Sequence, residues 1–151
     1  MSAMEKREKP RILGLDFGDR TVGAAVSDGL GLTAQGLETI FRERPTHLRR
    51  TYARIEALIE EYDISRIVLG LPLNMDGSEG ERAKKTREFG DALERRTGVP
   101  VIYQDERLTS VAAAELLSEA GIPAKDHKEK IDMVAAQLIL EDYMENHQNE
   151  S

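Results

Sequence analysis

Cysteine is absent from this 151-residue chain, and its three histidines, His47, His127 and His147, do not stand at metal-ligand spacing. Thiolate nucleophiles, disulfides and cysteine-held zinc or iron-sulfur sites are excluded, and a histidine-built metal site or a serine triad lacks material. The groups left to do chemistry are carboxylates. Asp16 ends the apolar run Ile12-Leu13-Gly14-Leu15, where its charge is costly unless it caps a turn, pairs with a cation or binds a metal. Asp105 and Glu106 close a later extended run, and Asp132 shares a helical stripe with Ala135, Ala136, Ile139 and Tyr143. Each acid has a plainer reading: a turn at Asp16, a helix opening at Asp105-Glu106, a helix-dipole contact at Asp132. Three acids on three elements nevertheless form the pattern of hard-cation chemistry on phosphate.

The elements that must position them are legible in outline. Ile12–Leu15 and Thr21–Ser27, separated by Gly18-Asp19-Arg20, read as a hairpin, and Gly36–Phe41 as a third strand. Leu48, Tyr52, Ile55, Ile59 and Tyr62 form a helical stripe with Thr46 as its N-cap. Ile67–Leu71, stopped by Pro72, has the unbroken apolar character of a strand buried on both faces. A capping box of Ser78 and Glu81 opens a helix that buries Ala83, Phe89 and Leu93 and stops at Gly98. Val99–Tyr103 is the fifth strand. Helices follow from about Val111 to Gly121 and from about Lys128 to Glu145, the last behind an Asp126/Glu129 capping box.

A meander followed by two right-handed crossovers gives an α/β fold: a five-stranded mixed sheet of order 3-2-1-4-5 flanked by helices, with strands one, four and five parallel. Their C-terminal ends then share one rim, where open α/β sheets place ligands. That rim carries Asp16, the segment Pro72 to Asp76, and Asp105-Glu106. Two strand spacings separate Asp16 from the second cluster, roughly 10 Å at ~4.8 Å each, a gap that bridging divalent ions would span.

Length predicts one domain, residues 10–145, between polar tails at 1–9 and 146–151 that are expected to be disordered. No apolar run reaches a membrane span and the first residues lack the core of a secretory signal, so the expected location is cytoplasmic. The net charge of -7 argues against a general nucleic-acid coat. It is polarised: residues up to Met75 carry 11 basic and 11 acidic side chains, the remainder 10 and 17. Five arginines (Arg42, Arg44, Arg49, Arg50, Arg54) stand against one acid, Glu43, in a single stretch, as a solvated helix face or a phosphate-contacting surface would.

Four segments in order, LDFGDRTVGAAVSD (Leu15 to Asp28), VLGLPLNMDGSEG (Val68 to Gly80), QDERLTS (Gln104 to Ser110) and KIDMVAA (Lys130 to Ala136), resemble the YqgF or RuvX-like family. Proteins of that family are described as nucleases of pre-16S ribosomal RNA and as homologues of Holliday-junction resolvases. The resemblance covers Arg11 to about Tyr143. It implies an RNase H-like fold and a nuclease using Mg²⁺ or Mn²⁺, with Asp16, Glu106 and Asp132 as catalytic, metal-binding carboxylates and Asp105 structural. It further implies that Arg107 contacts phosphate, or else pairs with a neighbouring acid. Asn74, Asp76 and Gly77 are a substrate loop on that resemblance, or else a linking turn, the reading preferred for Gly77. Met133, where the family pattern leads one to expect a small residue, is the one departure.

The implied partners are structured RNA, namely pre-16S rRNA with an association to the ribosomal precursor, or branched DNA; if the arginine stretch is a phosphate-contacting surface, Arg49 and Arg50 are its binding residues. Two rivals remain. DFGDRT also resembles the first phosphate loop of sugar-kinase and actin-like ATPases, but those close two such domains around ATP and this chain supplies one. A catalytically silent RNA-binding module would leave the complete acid set unexplained.

Overall fold

A computed structural model describes residues 10–147 apart from Leu108, with no side-chain description for Ser110, Lys128 and Glu129. The tail 1–9 and residues 148–151, expected to be disordered, lie outside the described residues. The elements in order are β1 (Arg11–Phe17), β2 (Thr21–Ser27), β3 (Ala34–Phe41), α1 (Arg49–Tyr62), β4 (Ile64–Leu71), α2 (Glu81–Thr97), β5 (Val101–Asp105), α3 (Thr109–Glu119), a 3₁₀ turn (Ala124–Asp126) and α4 (His127–Asn146).

The sheet has the order β3-β2-β1-β4-β5. β1 pairs antiparallel with β2 and β2 with β3, whereas β4 lies parallel to both β1 and β5. This is the topology expected from the pattern of elements, and it leaves β1 and β4 buried on both faces. On one face Leu13, Leu15, Val22, Ile40, Ile67 and Leu69 pack beneath α1 and α2, which contribute Ile55, Leu58, Phe89 and Leu93. On the other face Ala25, Ala34 and Val68 pack beneath α4, through Ala136, Ile139, Leu140 and Tyr143. Each fully buried Leu or Ile contributes about 1.5–3 kcal/mol of transfer free energy.

The α4 face is floored by small residues, and this decides how closely the helix approaches. A Cβ on Gly14 would stand 2.8 Å from Leu140 Cβ, and one on Gly23 only 1.9 Å from the Asp132 carbonyl oxygen. Met133 uses the same allowance, since a Cβ on Gly36 would lie 2.8 Å from its Cγ. The larger residue at 133 is therefore accommodated by a glycine across from it.

Several boundaries differ from the sequence expectation. β1 continues through Asp16 to Phe17, so the aspartate lies inside the strand. β5 begins at Val101, two residues late, because Pro100 has no N–H and contributes only its carbonyl, which accepts from Ile67 N. Thr46 does not cap α1. Its carbonyl accepts from Leu48 N, and the helix opens at Arg49 behind Leu48 with no side-chain cap. The Ser78 hydroxyl is held by Asp76 and Asn74, so α2 waits until Glu81 and its N-cap is Gly80. Asp126 is at the N-cap of α4 but makes no side-chain cap bond. The expected stops are present, with Gly98 and Gly121 at φ of 74° and 80°.

Candidate active site

Asp16 projects from β1 onto the α4 face, opposite Gly23 of β2, and is 7% exposed. Glu106 is the first residue past β5, tied by its N–H to the Leu71 carbonyl at 3.2 Å. Its side chain folds back over Gly70, where a Cβ would stand 3.0 Å from Glu106 Cδ and 3.1 Å from Oε2. Gly70 thus leaves the space through which Glu106 reaches Asp16, and the two carboxyls share a hydrogen bond in which Glu106 donates. The expected gap of two strand spacings is closed by this reach. Asp132 arrives from the second turn of α4, its backbone against Gly23 and its Oδ2 accepting from Thr21 Oγ1.

The electrostatics follow from placing acids together in a dry location. Burial, with the Asp132 charge adding to it, pushes the Asp16 carboxyl up to about 6 in spite of the Glu106 hydrogen bond and the Arg82 charge. Burial pushes Glu106 further, to about 9, reinforced by the Asp16 charge and by donation of its proton to Asp16. Both shifts favour a proton held between the two carboxyls. Arg82, in the first turn of α2, is an exposed cation whose charge favours ionisation of both acids.

Arg82 and Thr21 escaped the sequence reading. Arg82 carried one usable signal, a cation in the first helical turn after the rim segment. Thr21 carried none, because its contact with Asp132 spans 111 positions.

Oxygen donors only, mutual repulsion and a desolvated pair suit a hard divalent cation, which would replace the shared proton. Among the described residues, however, no three His, Asp or Glu side chains are grouped closely enough to hold an ion as placed. Asp132 is turned to Thr21, so completing a ligand set requires that side chain to exchange partners.

The remaining candidates fall into two groups. Arg107 forms an ion pair with Asp105, Nη2 to Oδ2 at 2.9 Å, and donates from Nη1 to the Met75 carbonyl at 3.2 Å. It thereby ties the end of β5 to the β4–α2 loop. In that loop Asn74 accepts from Gly77 N through its carbonyl and donates to Ser78 Oγ, while Asp76 Oδ1 accepts from Ser78 N and Oγ. Gly77, at φ 88°, completes a tight turn at the rim.

The arginine stretch divides. Arg42 turns inward, donating to the carbonyls of Gly18, Asp19 and Pro45 with its guanidinium 4.9 Å from the Phe17 ring centre. Arg54 pairs with Glu38. Arg44, Arg49 and Arg50 are exposed, the latter two opening α1 away from the carboxylates' own contacts.

The family model described as RuvX, Holliday junction resolvase, matches residues 10–146. A protein of Agathobacter rectalis curated as "Putative pre-16S rRNA nuclease" is 58% identical over 135 residues, covering 89% of this chain and 94% of the relative. One of the same name from Myxococcus xanthus is 49% identical over 137 residues, covering 91% and 89%. Among solved structures, Thermus thermophilus RuvC in complex with a Holliday junction substrate aligns with a TM-score of 0.56 at 14% identity, covering 93% of this chain and 97% of that one. That likeness bears on the fold, which is the RNase H-like nuclease fold expected from the motifs.

Proposed function

The chain belongs to the RuvX family, and from that premise we propose that it is a divalent-metal-dependent nuclease that hydrolyses phosphodiester bonds in pre-16S ribosomal RNA. The observation that carries this reading is the convergence of Asp16, Glu106 and Asp132 from three elements onto one glycine-floored corner of the sheet. The names of the relatives support the RNA substrate.

Asp16, Glu106 and Asp132 would hold Mg²⁺ or Mn²⁺. A cation held by these three carboxylates would supply Lewis-acid chemistry for phosphodiester hydrolysis. The chain's own residues supply the rest. Burial of Asp16 and the reach of Glu106 over Gly70 create a site in which added positive charge favours joint ionisation of the two carboxyls. Arg82 contributes part of that charge. Thr21 Oγ1 donates to Asp132 Oδ2, a partner that Asp132 would exchange on taking up a cation. Arg107, half-exposed while anchored by Asp105, offers its remaining edge to a backbone phosphate, and the turn from Asn74 lies where the substrate strand passes. Arg49 and Arg50 extend the phosphate contact along α1.

No described helix is long and apolar enough to cross a membrane, and a role on ribosomal precursors in the cytoplasm accords with that. A four-way DNA junction is the second substrate reading, favoured by the description of the family itself. One experiment addresses both: cleavage of a panel of structured RNAs, including the pre-16S 5' region, and of branched DNAs, in Mg²⁺, Mn²⁺ or excess chelator. Metal-dependent cleavage of the RNA, lost in Asp16→Asn, is the expected result. Activity that persists in chelator would overturn the carboxylate-metal reading, and preferential cleavage of the four-way junction would transfer the substrate to DNA.

A further inference from the structure

Phe41 is the last residue of β3 and is 64% exposed. It is the cross-strand partner of Thr21, so the two side chains leave the same face of the sheet. That is the face on which Thr21 Oγ1 donates to Asp132. Across the sheet the register runs Asp16, Gly23, Thr39, which places β3 two strand spacings, about 10 Å, from the aspartate. Phe41 stands two residues further along, at the rim.

The backbone that carries this ring is held firmly. The inward-turned Arg42 guanidinium donates to Gly18, Asp19 and Pro45 carbonyls, and its own N–H bonds the Arg20 carbonyl at 2.9 Å. Phe41 is therefore bracketed by the β1–β2 turn, which presents Arg20, and the segment after β3, which presents Arg44; both cations are exposed. Leu30 and Leu32 are also exposed, but they lie on the β2–β3 turn at the opposite end of the sheet from the carboxylates. Lone exposed apolar residues of that kind need no explanation. Phe41 is distinguished by being aromatic, by sharing a face and a rim with the carboxylates, and by its flanking cations.

We propose that Phe41 is a stacking platform for an unpaired base, holding a single-stranded stretch of nucleic acid whose phosphates pass Arg20 and Arg44 toward Asp16. The inference rests on the nuclease reading and refines its substrate: the strand at the site is unpaired. A phenyl face accepts any base, whereas a base stacked within a duplex has no free face to offer. The platform thus selects strand state and leaves base sequence unread.

Binding in Ca²⁺ tests this with a short single-stranded oligonucleotide carrying 2-aminopurine, in ribo and deoxy forms, beside a blunt duplex of the ribo sequence. The wild-type protein should quench the probe. Phe41→Leu should weaken single-strand binding about 5- to 100-fold and remove the quench, while Phe41→Tyr keeps both and duplex affinity is the same in all three proteins. A loss confined to the ribo probe would tie the platform to RNA, and a loss on both would make it indifferent to the sugar; either supports stacking. Unchanged single-strand affinity in Phe41→Leu, or an equal loss on the duplex, overturns it. The readout needs no turnover. A quench without metal-dependent cleavage would sink the nuclease reading alone, and cleavage without a quench would sink only the platform.

Discussion

Gly23→Ala is the most demanding test of how the fold builds the site. The new Cβ would stand 1.9 Å from the Asp132 carbonyl oxygen, 2.2 Å from its carbon and 2.8 Å from Met133 N. Ordinary contact begins at 3.4 Å, so α4 must withdraw by about 1.5 Å or β2 must bend away, because no side-chain rotation moves helix backbone. Overpacking of this kind costs about 1–3 kcal/mol, and a backbone obstacle belongs at the upper end. For a chain of this size that lowers Tm by about 6–12 °C. The withdrawal also carries Asp132 off the Thr21 hydroxyl, and if Asp132 is the proposed ligand its misplacement by ~1 Å should cost about 10²-fold in rate. Thermal unfolding, with cleavage measured where both proteins are folded, reads the two effects separately. Gly36→Ala is the control: its Cβ meets the flexible Met133 side chain at 2.8 Å, so the thioether chain moves and activity stays near wild type. Full stability and activity in Gly23→Ala would refute the argument that α4 is seated on that glycine.

Three further outcomes are expected. Because the folded-state values of Asp16 and Glu106 lie above their ordinary ones, the stability they allow is fully present below about pH 4 and is lost as pH rises through about 6 and then about 9. Melting in chelator should therefore fall across that window, Mg²⁺ should restore it at the alkaline end, and Asp16→Asn should melt several degrees higher than wild type at pH 8 while cleaving nothing; an unchanged melting curve would remove the claim of repulsion. Arg82→Ala deletes a charge that favours ionisation of both acids, so the pH profile of cleavage should move to higher pH with little change in Tm, and Arg82→Lys should restore it. Replacing Arg49 and Arg50 together by alanine should lower the slope of log affinity against log salt by about 1–2 units, and an unaltered slope would return that face to simple solvation.

Much of this protein was written locally. The absence of cysteine and the isolation of the histidines left carboxylates as the reactive groups before any fold was considered. Burial periodicity identified the strands and helices, since a residue's face is set by its own element's repeat of two or 3.6. Handedness and short connections then turned the order of elements into the order of strands. The αL stops at Gly98 and Gly121 were legible for the same local reason.

What escaped depends on side chains that meet from distant elements. Thr46 and Ser78 have the chemistry of caps, yet Leu48 N bonds the Thr46 carbonyl and the Ser78 hydroxyl is taken by Asp76. The arginine stretch looks uniform in one dimension, whereas tertiary contacts bury Arg42, pair Arg54 with Glu38 and leave Arg49 and Arg50 in solvent. Asp16 and Glu106 could be assigned to one rim from topology. That their carboxyls meet follows only from the missing side chain at Gly70, which lets one cross to the other. Composition and periodicity thus determined which chemistry was available and which edge of the sheet would hold it. Register and close approach, fixed by the whole packed core at once, decided which groups touch and how far their charges are displaced from ordinary values.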